Sequence, residues 1–177
     1  MNIKALKAIT IRPVAPEDAP LLFELMTSAK FLAKIGDRGI KSEADARQYI
    51  LAKMHPDLNQ KGFFVNHIIM DSETKAEIGT CSIHDREGIN GVDIGYAILE
   101  RYEGMGYATA AGQKMVELAF STYGLSKVCA ITNLDNLGSS KVLEKVGFSH
   151  VGNIEVPIAD HPVKLYELSF DEFKNKL

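Results

Sequence analysis

Apolar Ile9 and Ile11 alternate with Thr10 and Arg12, the period of a half-buried strand. Pro13 and Pro16 punctuate it. Glu17-Asp18 then open a helix whose apolar positions, Leu21, Leu22, Leu25 and Met26, share one face. A second helix is predicted from Ser42, whose hydroxyl can cap a first turn that contains Asp45. Its face is Ala46, Tyr49, Ile50, Lys53 and Met54, and His55-Pro56 stops it. Three strands follow, over 62–70, 77–84 and 91–99, separated by the polar turns Asp71-Ser72-Glu73-Thr74 and Asp85-Arg86-Glu87-Gly88. Short turns between strands make an antiparallel meander.

Beyond Gly106 the apolar positions Ala108, Ala111, Met115, Leu118 and Thr122 keep helical spacing as far as Gly124. Residues 127–132 return as a strand, Val142, Leu143 and Val146 mark a short helix closed by Gly147, and two strands, about 149–157 and 162–170, finish the chain. The order β-α-α-β-β-β-α-β-α-β-β joins a meander to a strand–helix–strand crossover. That predicts an α+β fold with a mixed sheet, not a doubly wound parallel one. No repeat or linker divides residues 1–177, which read as a single domain.

With 46% hydrophobic and 24% charged residues the chain can bury a core of its own. Its net charge of −3 argues against nucleic-acid binding through phosphate neutralisation. Runs such as Ile68-Ile69-Met70 fall far short of the ~20 apolar residues of a membrane span. Arg12 interrupts the signal-like start after Lys4 and Lys7. The expectation is a cytoplasmic protein with no membrane or nucleic-acid partner. Cys81 and Cys129 lie in apolar strands, where reduced buried thiols are expected. Cys81-x-x-His84 has no second ligand pair, so no metal is expected.

The most informative stretch runs from Ile98 to Ala108, where a strand passes through a glycine-containing turn into a long helix. Unpaired N–H groups and the positive end of the helix dipole make an anion site there, and Gly104 and Gly106 let a phosphate come close. The plain alternative is a turn in which glycine only relieves steric strain. The Gly-Lys-Ser/Thr ending of a nucleotide loop is missing, and Thr109 replaces the third dinucleotide glycine, so ATP and NAD are disfavoured. Asn136 and Ser139 open the next helix. They either reach a ligand lying between the two helix N-termini or cap their own helix.

Together these patches resemble the GNAT superfamily of acetyl-CoA-dependent N-acetyltransferases, and within it the branch similar to the RimJ/RimL ribosomal-protein enzymes. The likeness also rests on Ile11-Arg12-Pro13 with Glu17-Asp18, Ile78-Gly79-Thr80, Asp93-Ile94-Gly95-Tyr96 and Lys145-Val146-Gly147-Phe148. It implies a mostly antiparallel, twisted sheet of about seven strands, splayed after the fourth, with the pantetheine arm of acetyl-CoA in the gap and its pyrophosphate on residues 103–108. The implied cofactor contacts are Ile98, Leu99, Arg101, Glu103, Gly104, Met105, Gly106, Tyr107, Ala108, Asn136 and Ser139. Two departures stand out. Glu103 occupies a position usually basic or amide, which a second frame beginning at Arg101 would repair, and Leu143 replaces a tyrosine general acid.

The implied reaction moves acetyl to a primary amine, a protein N-terminus or a small polyamine or aminoglycoside, by direct attack in a ternary complex; a homodimer is compatible with it. Amine attack on a thioester needs a base, a polarised carbonyl and a donor to the thiolate. Asp93 matches the family's acidic position and is the first candidate base, although strict alternation turns it away from the face used by Ile98, so a bulge is expected to bring it to the cleft. His84 is the second candidate base. Ser139 is the candidate donor, and the backbone N–H near Ile98 is expected to polarise the carbonyl. The segment from Phe31 to Pro56, with Asp37, Arg38, Glu43 and Asp45, is expected to shape the acceptor pocket, and the overall acidity to favour cationic acceptors. The rival reading, motivated by Glu103, Leu143 and the aim of Asp93, is a non-catalytic acyl-CoA-binding module.

Overall fold

The computed structural model describes residues 7–55 and 64–175, so the predicted strand start at 62 and the Pro56 helix stop lie outside the described residues. The meander forms where the alternation places it. β1 (Ile9–Pro13), β2 (Phe64–Asp71), β3 (Glu77–Asp85) and β4 (Val92–Ile98) pair antiparallel in sequence order. Asp71 builds the β2–β3 turn: its Oδ1 accepts from the backbone N–H of Glu73 (2.9 Å) and Thr74 (2.8 Å).

β5 (Lys127–Asn133), β6 (Ser149–Ile154) and β7 (Val163–Ser169) complete a seven-stranded mixed sheet of order β1-β2-β3-β4-β5-β7-β6. β4 and β5 run parallel and pair only at Val92 with Val128 and Asp93 with Cys129, after which they part. Gly91 sits at this pivot with φ 142°, and a Cβ there would lie 2.8 Å from Cys129 Sγ, so only glycine lets the strands meet so closely.

The helices are α1 (Ala19–Thr27), α2 (Ala29–Lys34), α3 (Glu43–Tyr49, prolonged by a wider turn over Ile50–Met54), α4 (Tyr107–Glu117), α5 (Leu137–Val146) and α6 (Phe170–Lys174). Ser42 caps α3 as predicted, accepting from Asp45 N at 3.1 Å. The sequence pattern did not reveal α2, because Phe31 is its one buried residue and no apolar stripe forms. α6 is shorter still and has no fully buried residue; a capping box between Ser169 and Glu172 holds it, and Phe170 and Phe173 pack against Phe120.

Alternation divides the core between the two sheet faces. Ile69, Ile83, Ile94 and Met115 pack on the side of α4 and α5, whereas Leu22, Leu25, Ile50 and Ile68 pack on the side of α1 and α3. Both cysteines are buried and free.

Arg12 joins three elements. Its guanidinium donates through two nitrogens to Asp18 (2.7 and 2.9 Å) and through one of them to Glu77 (2.7 Å), while Asp18 Oδ2 also accepts from Ala15 N. Asp18 is 5% exposed, so removing the cation leaves a buried carboxylate without its charge partner. Arg12→Ala is expected to lower stability by about 1.5–3 kcal/mol, read as a reduced urea midpoint with an unchanged slope.

Candidate active site

Where β4 and β5 separate, a cavity of about 490 Å³ opens on the α1–α3 side of the sheet and reaches into the gap. Asp93, His84 and Asn66 form part of its wall from the sheet, Tyr49 from α3, and Asn136 and Ser139 from α5 and its cap.

No bulge turns Asp93. The β3–β4 register runs unshifted from Gly79 opposite Ile98 to Asp85 opposite Val92, so Asp93 lies on the face opposite Ile98, as strict alternation dictates. The expected bulge is unnecessary because the cavity lies on that face. Asp93 is 3% exposed. Its Oδ2 accepts from Arg86 Nε at 2.6 Å. Burial pushes its carboxyl up to about 6, against the opposing pull of the Arg86 charge. His84, its cross-strand neighbour, is half-buried, and its Nε2 lies 3.1 Å from Asn66 Oδ1. Burial, helped by Arg86, pushes this imidazole down to about 4, so it is neutral at neutral pH.

At the head of α5, Asn136 is a helix cap: its Oδ1 accepts from Ser139 N at 3.1 Å. Ser139 Oγ lies 3.3 Å from the Tyr96 hydroxyl. Tyr96 lines the same cavity through the gap, and burial pushes its phenol up to about 12, which keeps its proton in place. Sequence reasoning missed Tyr96 and Arg86. Tyr96 reads as one more apolar residue in a strand, and Arg86 as turn material, until the sheet brings each to its partner. Leu143, on the buried face of α5, is 1% exposed and carries no ionisable proton.

The turn before α4 differs in detail from expectation, because a short 3-10 turn over Glu100–Tyr102 intervenes after the strand. Gly104 (φ 70°) and Gly106 (φ 95°) both adopt the left-handed conformation, with space around them. Ala110 N donates to Gly106 O, so the amides of Tyr107, Ala108 and Thr109 precede the first intrahelical bond and are free to meet an anion. That donor set fits a diphosphate.

The side chains nearby are engaged elsewhere, which corrects part of the expected cofactor set. Glu103 pairs with Lys30, and Arg101 pairs with Glu24 and lies over the Tyr102 ring. Tyr107 donates to Asp71 Oδ2 at 2.6 Å inside the core, and Leu99 is 2% exposed among the α1–α3 residues. Of these four, Tyr107 offers a ligand its backbone N–H, whereas the N–H groups of Leu99 and Glu103 already donate to Ile78 O (2.9 Å) and Glu100 O (3.2 Å). Gly104, Met105 and Gly106 are exposed, Ala108 is half-buried, and Ile98 packs against the α4-side core. Of the residues singled out in the sequence, Asp93, His84, Asn136 and Ser139 share the cavity wall, together with Arg38 and Leu143; those from 98 to 108 do not.

Residues 8–149 match a protein-family model described as an acetyltransferase (GNAT) domain. The chain is 28% identical to the uncharacterized N-acetyltransferase p20 of Bacillus licheniformis over 81% of this chain and 80% of that one. It is 30% identical to the putative ribosomal N-acetyltransferase YdaF of Bacillus subtilis over 81% and 79%. In three dimensions it resembles the aminoglycoside acetyltransferase AAC(6')-Ib solved in complex with coenzyme A, with a TM-score of 0.78, 20% identity, and coverage of 95% of this chain and 98% of that one.

Two outcomes follow from the two helix starts. Gly106→Glu puts a carboxylate at the turn in a strained conformation, and is expected to raise the dissociation constant for coenzyme A by roughly tenfold or more, measured by calorimetry. Asn136→Ala removes a cap and is expected to cost about 1 kcal/mol of stability, whereas Asn136→Asp, which keeps an accepting oxygen, retains it in thermal melts.

Proposed function

The chain belongs to the GNAT acetyltransferase family and is an acetyl-CoA-dependent N-acetyltransferase; from that premise we propose that it acetylates the α-amine of a protein N-terminus or of a small molecule, in the manner of the RimJ/RimL branch. The observation that carries this reading is Asp93, a buried carboxylate raised to about 6 in a cavity open to the splayed gap. An α-ammonium has a pKa of ~8 and a lysine-type ammonium one of ~10.4. Moving a proton to Asp93 is therefore uphill by roughly 3 kcal/mol for the first and roughly 6 kcal/mol for the second. The likeness to YdaF, a putative ribosomal N-acetyltransferase, supports the same acceptor class.

Bound acetyl-CoA supplies the activated acetyl group and departs as a thiol. For this chain's own part, Asp93 takes the amine proton, Arg86 holds that carboxylate in place, and the main chain of 103–108 meets the diphosphate. Tyr96 and Ser139 present two hydroxyls 3.3 Å apart in the gap. A phenol near 12 does not surrender its proton to a thiolate of ordinary pKa ~8.5. Tyr96 therefore acts as a hydrogen-bond donor to the leaving sulfur, and the amine proton taken up by Asp93, an acid well below the thiol's ~8.5, is returned to that sulfur by exchange through solvent.

The test is a pH profile of thiol release. Wild-type kcat/KM is expected to rise as the Asp93 carboxyl deprotonates through about 6, with a further rise as the amine itself loses its proton. Asp93→Asn is expected to lose roughly 10²–10⁴-fold in kcat with unchanged acetyl-CoA KM. Wild-type turnover in that variant removes Asp93 as the base, and a limb near 4 reassigns the role to His84.

A further inference from the structure

We propose that the acceptor carries a carboxylate as well as its amine, and that Arg38 and Lys53 at the cavity mouth hold it. This rests on reading the α1–α3-side cavity as the acceptor pocket.

The segment between α2 and β2 carries charges of both signs, and the fold sorts them. Asp37 is exposed, its Oδ1 accepting from Gly39 N at 2.7 Å; Asp45 is exposed, its Oδ2 accepting from Lys41 N at 3.0 Å; Glu43 is exposed in the first turn of α3. None of the three lines the cavity, whereas Lys34, Arg38 and Lys53 do. The three carboxylates are exposed away from the cavity, Asp37 and Asp45 accepting from nearby backbone N–H groups, and the cations line it.

The sheet contributes Arg86, Asp85 and Asp93, so the wall holds four cations and two carboxylates. Asp93 is matched by Arg86, and Lys34 by Asp135 at 2.8 Å. Among the described residues neither Arg38 nor Lys53 takes part in an ion pair. Arg38 is half-buried and Lys53 exposed, one from the loop after α2 and the other from the turn that prolongs α3.

A polycationic acceptor entering here meets like charge. A carboxylate meets a guanidinium fork and an ammonium that, among the described residues, have no carboxylate bound to them. The same positive surroundings disfavour the acceptor's ammonium form and so favour the free amine that must attack. The bias towards cationic acceptors drawn from the chain's net charge is thus reversed at the cavity itself.

The test compares kcat/KM by thiol release at neutral pH for three peptide amides that differ only in a glutamate, glutamine or lysine at the second position, together with glycine against glycinamide, and spermidine. The expected result is a preference for the glutamate peptide over the lysine peptide of about tenfold or more. That ratio should collapse towards one in the double variant Arg38→Glu, Lys53→Glu. Should that variant fail to fold, Arg38→Gln and Lys53→Gln singly report the same ratio. A preference for glycine over glycinamide assigns the carboxylate to a free amino acid, and a preference confined to the peptides assigns it to an acidic side chain. Turnover that is equal across the panel, or fastest with spermidine or the lysine peptide, overturns the proposal and leaves the acetyltransferase reading standing. If no acceptor turns over, calorimetry of the peptides on the coenzyme A complex decides: charge-ordered binding supports the proposal, and its absence overturns it. Failure to bind coenzyme A at all overturns both.

Discussion

Two backbone pairings decide what this sheet can do. β4 and β5 are joined only at Val92–Val128 and Asp93–Cys129, and Gly91 lets the two strands meet tightly at that point. Beyond it, no strand lies between the facing edges of Gly95–Ile98 and Ala130–Asn133, and the Ile131 backbone N–H turns to the Asp93 carboxylate instead. A continuous sheet would have separated the α4 side from the α1–α3 side. The opening instead lets the cavity that holds the buried Asp93 reach into the gap beside Tyr96 and Ser139.

The same junction explains the electrostatics. Asp93 lies at the last paired position, where burial is complete enough to lift its carboxyl to about 6 and where Arg86 keeps it from being lifted further. The folded state holds that proton more tightly than the unfolded chain. Its favourable contribution is therefore present below the ordinary carboxyl range and is lost as pH rises through about 6. Asp71 is the opposite case. Held well below the ordinary range, first by the Thr74 backbone N–H and then by the Tyr107 hydroxyl, it contributes above that range and loses its effect on acidification. One aspartate serves the architecture, fastening α4 to the β2–β3 turn, and the other lowers stability at neutral pH by keeping a carboxylate buried beside the cavity.

Around the glycine turn, the charged side chains of Glu103 and Arg101 are neutralised by distant partners. Glu103 finds Lys30, 73 positions away, and Arg101 finds Glu24, 77 positions away. Glu103 therefore does not confront the turn as an isolated charge, and Arg101 is not waiting to receive a phosphate. What this turn leaves exposed is the left-handed backbone of Gly104 and Gly106 and the first amides of α4.

The sequence by itself determined the strands, the meander, the Ser42 cap, the glycine turn leading into α4 and the family resemblance, because each follows from local periodicity or from spacing within a few residues. It did not disclose α2, which is too short and too polar to show a stripe. Only the tertiary structure decided that Asp93 reaches the cavity without a bulge, that Arg86 and not solvent meets it, that Tyr96 stands beside Ser139, and that Arg38 and Lys53 face the opening while Asp37 and Asp45 turn away. The physical reason is the same in each case: a side chain's charge and role are set by partners that the chain brings near only after the strands have paired, and no local pattern records where those partners will be.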